Sequence, residues 1–295
     1  MGRRSPDNVA VMPSAVGVSA VVHALPPGRG RSAGVRAAFG AGFKRYSTYR
    51  QAAIAGAFTN TVFGSIKLGI LFALAAGNGG HVVGYDRASL ATYTWVSQGI
   101  IAVVVMFQWT DVSERVLSGN IAIDLLRPLD PQRYWLAHDL GRASVALVTR
   151  LLPPIVIGGL LFGISPPRRP FAYLLFPISL LLAVVVSFAC RWLVSLVAFW
   201  LTQIRGVLTI YVLSSNLLSG LIFPLQIMPR WIGVVAYATP FPAILQTPVN
   251  VWTGIGGSGA AARDVGLQLV WAMVMLLIGR SVFARATRVL VVLGG

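Results

Sequence analysis

The sequence predicts an all-α membrane protein with six transmembrane helices, and three observations predict it. Only 11% of the 295 residues are charged while 56% are hydrophobic, and the mean hydropathy is +0.75; soluble domains carry about 25% charged residues. The apolar residues form blocks long enough to cross a hydrocarbon core of about 30 Å, not the short stripes that fill a soluble core. The net charge of +16 comes from arginines gathered at the ends of those blocks, which is the pattern of membrane topology and not one basic face for nucleic acid. One membrane domain is expected over residues 38–290, with membrane lipid around it and no nucleic-acid partner.

The chain is organised around Asp111–Arg142. This stretch holds Asp111, Glu114, Asp124, Asp130 and Asp139, five of the eight acidic residues, beside Arg115, Arg127, Arg133 and Arg142. So much charge is costly in hydrocarbon, which predicts a water-exposed loop between two spans. Asp130 followed by Pro131 is a helix start, and Tyr134, Trp135, Ala137, His138 and Leu140 continue it. The plain reading is a solvated hairpin that keeps two spans in register. The functional reading is a docking surface for another protein, with Arg127, Asp130, Arg133, Tyr134 and Trp135 as its candidate residues.

Taken in order, residues 1–37 are rich in Gly, Pro and Arg and are expected to be a disordered basic tail. Arg3 and Arg4 before Val9–Leu25 faintly resemble a secretory signal, but Pro6, Asp7, Asn8 and Pro13 interrupt it. A start at Met12 is a further alternative. Phe39, Phe43, Tyr46 and Tyr49 among Lys44, Arg45 and Arg50 predict an interfacial amphipathic helix, unless they are the wet first turns of span one. The spans follow at about 51–76, 91–110, 143–164, 171–201, 207–223 and 263–283. Lys67 lies roughly 15 Å of helix from the end of the first span, an intramembrane charge that either serves a pathway or snorkels outward.

Gly77–Leu90 reads as a polar outer loop, and Trp95 and Trp109 near the two ends of the second span suit interfacial belts. Pro153 and Pro154 predict a bend in the third span. The fourth is too long for a straight crossing and is expected to tilt, or to bend near Arg191, whose head is expected at the inner headgroups. Pro224, Pro229, Pro240, Pro242 and Pro248, with Trp231 and Trp252, rule out one straight helix before the last span. Broken apolar segments of this kind predict outer re-entrant or interfacial pieces. Gly254–Ala262 is read as a glycine-rich connection.

With both termini inside, sixteen cationic residues lie on the inner side against five outside, which predicts cytoplasmic termini. Chemistry is sparse. The single cysteine, Cys190, has no partner, and His23, His81 and His138 are scattered, so no metal or catalytic residue is proposed. The glycines after the first span do not form a nucleotide loop. The spans are read as free of carboxylates and histidines, which counts against an enzyme and against ion-coupled transport. A permease whose energy comes from another chain is left, with a secondary transporter, a channel or a membrane scaffold as rivals.

Three patches then carry a resemblance. LSSNLLSGLIFPLQIMPRWIGVVAYATPFPAILQTPVNVWTG (Leu213–Gly254) resembles the fifth span and outer re-entrant hairpin of ABC type-2 (ABC-2 family) transporter permeases. SGNIAIDLLRPLDPQRYW (Ser118–Trp135) and AFWLTQIRG (Ala198–Gly206) are similar to that family's inner loop and fourth-to-fifth turn. The resemblance implies six spans, an N-terminal interfacial helix, a cytoplasmic coupling helix and outer re-entrant helices. It implies a homodimer or a heterodimer with a second permease, and a separate ABC ATPase that binds the ATP and Mg, so no cofactor in this chain. It further implies export of drugs, lipids or similar substrates, across a plasma membrane. The Ala-, Arg- and Val-heavy composition suits a GC-rich bacterium.

Overall fold

The computed structural model describes residues 29–48, 50–77, 82, 84–106, 110–127, 129–167 and 169–293. Among them the chain is helical, and the one β feature is an isolated bridge between Val82 and Tyr85. In order the helices are α1 (Arg29–Ser47), α2 (Arg50–Ala76), α3 (Arg87–Val104), α4 (Asp111–Leu117), α5 (Ile121–Leu125) and α6 (Pro131–Ala146). They continue with α7 (Leu152–Phe162), α8 (Pro170–Leu196), α9 (Arg205–Leu218), α10 (Arg230–Tyr237), α11 (Gln246–Thr253) and α12 (Gly257–Leu293).

Among the described residues, four helical stretches are long and apolar enough to cross a membrane: Ile54–Ala76, Pro131–Phe162, Pro170–Phe199 and Gly259–Arg288. The expected second and fifth spans fall short of that test for different reasons. The α3 helix is the centre of the bundle, packed on α2, α6, α7, α8 and α11, and buries Thr92, Tyr93, Thr94, Ser97 and Gln98. A helix covered by protein on all sides tolerates polar side chains once they are hydrogen-bonded. The α9 helix ends at Leu218 instead of near residue 223, and its 14 residues reach only about 21 Å.

Pro131 to Phe162 is continuous helix, so the predicted coupling helix and the third span are one rod. A π turn at Leu147–Leu151 joins α6 to α7. The ring of Pro153 would clash with the Thr149 carbonyl in a regular α turn, and the wider turn absorbs that conflict. In α8, Pro177 lies within the helix and Arg191 does not interrupt it.

The α1 helix starts at Arg29, earlier than the expected start of ordered structure at residue 38. It leaves Phe39, Phe43 and Tyr46 exposed and buries Ala38 and Gly42 against α6. Gly42 sits on the His138 carbonyl and Gly141 on the Phe39 carbonyl, each so close that a Cβ has no room. Tyr49, the last of the predicted aromatic row, lies outside the described residues.

The proline-rich segment is broken as predicted, into α10, a 3₁₀ turn at Phe241–Ala243 and α11. The glycine connection is shorter than expected: Gly254, Gly256 and Gly257 take positive φ, and α12 begins at Gly257. Trp95 corrects its assignment to an interfacial belt. It is fully buried and stacks on Phe162 with ring centres 5.4 Å apart; Trp109 lies outside the described residues.

Candidate functional site

Three groups of side chains have the chemistry of a functional site, and the hairpin comes first. Asp130 accepts from the Arg133 backbone N–H at 3.0 Å and caps α6, as its sequence position predicts. Asp124, buried on α5, receives Arg115 at 2.6 Å and Arg127 at 3.4 Å. The two cations then cover aromatic rings: Arg127 lies 4.5 Å from the centre of Tyr134 and Arg115 lies 5.9 Å from that of Trp135. The hairpin is therefore folded on itself, with α4 and α6 both docked on α8.

The five hairpin candidates divide by exposure. Arg127 and Arg133 face solvent, Asp130 and Tyr134 are half-buried, and Trp135 is only 6% exposed. Trp135 belongs to an inner cluster with Phe188, Trp192, Leu196, Phe199 and Phe283. It fastens α6 to the bundle, while its neighbour Tyr134 remains reachable.

The second group is an ion triad that the sequence reading missed. Asp139 accepts from Arg142 at 2.6 Å and from Arg191 of α8 at 2.8 Å, and all three side chains are buried. Arg142 spends its other nitrogens on the Ala102 and Val103 carbonyls at 2.9 Å and 2.6 Å, closing the end of α3. Ser187 donates to the next carbonyl, that of Val104. Two expectations are corrected. Arg191 does not reach the inner headgroups, because a buried carboxylate holds it. Nor are the spans free of carboxylates and histidines: Asp139 and His138 lie on the continuous Pro131–Phe162 helix, and Asp264 lies near the start of the last one. The i, i+3 spacing of Asp139 and Arg142 was the available signal.

The third group surrounds Lys67. Its Nζ donates to the Leu221 carbonyl at 2.7 Å and to Ser97 Oγ at 3.3 Å, and lies 5.1 Å from the centre of the Tyr93 ring. Tyr93 donates to the Gly220 carbonyl at 2.6 Å, and Gln246 Oε1 lies 2.9 Å from the same hydroxyl. Gln246 bonds Asn250 and Gln226, and Tyr85 donates to Gln226 at 3.1 Å. Burial pushes the Tyr85 phenol, which stands in the loop before α3, above its ordinary range. This network ties α2 and α3 to the turn after α9, so the Lys67 ammonium is directed inward onto backbone.

The candidates of the proline-rich segment serve the same turn in different ways. Pro224 is buried beside it, Pro229 starts α10, and Pro240 and Pro242 make the 3₁₀ turn. Trp231 is 69% exposed, on a helix whose Val234, Val235 and Tyr237 are also exposed. An apolar exposed face of that kind fits an interface of lipid or protein.

No curated relative and no solved structure matches the chain. A family model described as ABC-2 family transporter protein matches residues 65–294, from within α2 to the end of α12. The match covers the buried α3 core, the hairpin, the ion triad and the broken proline segment alike, and with most of the sequence inside it the chain belongs to the ABC-2 transporter family, as a membrane component of ABC transporters.

Proposed function

We propose that this chain is the membrane-spanning permease subunit of an ATP-driven exporter, moving a drug, lipid or other amphipathic substrate across the plasma membrane. In this reading α3 and α9 complete a set of six spans, both termini are cytoplasmic, and the proline-rich segment re-enters the outer leaflet. A separate ATPase binds the ATP and Mg, and the permease works as a homodimer or with a second permease.

The observation that carries the proposal is the unbroken helix from the Asp130 cap to Phe162. A partner that pushes on the start of α6 moves a rod that spans the membrane, and the ion triad passes that movement to α3 and α8. Arg127, Asp130, Arg133 and Tyr134 form the contact patch, with Trp135 anchoring it from behind. A secondary transporter driven by protons is less well supported, because Asp139 is held by two guanidiniums and is a poor proton carrier.

Co-purification with the ATPase in detergent tests this. Arg127, Asp130, Arg133 and Tyr134 changed together to alanine should release the ATPase while the permease stays folded. ATPase retained at wild-type level would move the contact elsewhere, and ATP-driven flux by the permease alone would end the proposal.

A further inference from the structure

A cleft of about 810 Å³ lies between α4, α8 and α9, within the range of small-ligand sites. We infer that it binds the anionic head of a single-chain amphipath, with Arg191 at its back and Arg205 at its rim. The inference rests on the permease reading for its purpose and deepens it by naming a substrate class.

The charge argument starts from the triad. Each oxygen of Asp139 is already taken by one guanidinium, so Arg142 and Arg191 together exceed it by one positive charge. Arg142 is turned away and spent on the carbonyls that end α3. Arg191 is the member that borders the cleft, although only 3% exposed. A guanidinium held out of water attracts an anion more strongly than a surface arginine does. Arg205, exposed at the start of α9, adds a second cation, and Glu114 on α4 opposes them. The lining with its triad thus sets three guanidiniums against two carboxylates.

The apolar half of the argument comes from Val194, Leu208, Val212 and Leu213, which line the rest of the cleft. A head that meets Arg205 and Arg191 leaves its chain along this wall. Another apolar groove, about 460 Å³ beside Phe39 and Pro177, has no charged lining residue and would not select a head group.

The test uses the full chain in phosphatidylcholine nanodiscs, with empty discs as blank, and equilibrium dialysis of dodecyl phosphate, dodecyltrimethylammonium and dodecyl maltoside. Saturable binding above the blank is expected for the phosphate alone. Arg205→Gln should weaken it about two- to fivefold, the scale of an exposed ion pair, and Glu114→Gln should tighten it by a similar factor. Val212→Trp, which fills the cleft, should abolish saturation. Arg191 itself is left intact, since its loss uncovers Asp139.

Equal binding of the ammonium compound, or no change in the three variants, overturns the inference. Inorganic phosphate competing as well as dodecyl phosphate would overturn the amphipathic part. In proteoliposomes that hold the chain together with its ATPase, saturable phosphate binding without ATP-driven flux would sink the permease reading and leave the site standing. Flux of the alkylammonium without phosphate binding would do the reverse.

Discussion

Arg191 on α8 and Asp139 on α6, 52 residues apart in sequence, meet at 2.8 Å where neither side chain has solvent. Removing one partner of such a pair leaves a buried charge without compensation. Asp139→Ala should therefore cost about 3–5 kcal/mol, because two guanidiniums are stranded at once. Chemical denaturation in detergent measures it. Arg191→Met combined with Asp139→Leu should cost less than Asp139→Ala alone, and a larger loss in the double variant would show that the pair is not coupled.

The crossing of α1 and α6 makes a second prediction. Alanine at Gly42 or Gly141 has no room beside the His138 or Phe39 carbonyl and should push the helices apart, at about 1–3 kcal/mol. Gly40, with open space around its Cβ position, is the control. Gly40→Ala should leave stability unchanged or raise it by roughly 0.5–1 kcal/mol. Protease access to Arg36 should rise in the first two variants and not in the third.

A third concerns the turn after α9. Tyr93→Phe removes the hydroxyl that donates to the Gly220 carbonyl at 2.6 Å and sits 2.9 Å from Gln246. The stranded carbonyl should cost about 1–3 kcal/mol. Lys67→Met removes the neighbouring bond to Leu221, so the two changes should be less than additive when combined. Additive losses in thermal unfolding would place them in separate networks.

Trp135 and Tyr134 should behave oppositely although adjacent. Trp135→Ala empties a packed site among Phe188, Trp192 and Phe283 and should cost about 3–5 kcal/mol. Tyr134→Ala should leave the unfolding midpoint nearly unchanged and weaken ATPase retention. A destabilised Tyr134→Ala protein with normal retention would contradict the division of roles between them.

The sequence showed the elements marked by local chemistry. Asp130 before Pro131 showed the start of α6, and the spaced prolines after residue 223 showed where a straight helix cannot run. What depends on distant partners was not visible. Arg191 was read as a headgroup ligand because nothing near it in sequence pairs with it; its carboxylate belongs to another helix. Trp95 was read as a belt residue from its place near a span end, but α3 is wrapped by five other helices and Trp95 is fully buried among them. The same wrapping explains why a run that carries Thr92, Thr94, Ser97 and Gln98 became the core. The α1 helix was foreseen by its aromatics, whereas the face that docks it is made of Ala38 and Gly42, residues with no periodic signal of their own.

That close glycine crossing has a mechanical consequence. Two backbones in contact, with no side chains between them to act as cushions, slide poorly over one another, so α1 travels with the hairpin rod as one stiff piece. Cargo attached just ahead of Arg29 would be carried through the same stroke, and its bulk would slow the cycle from a place far from any substrate.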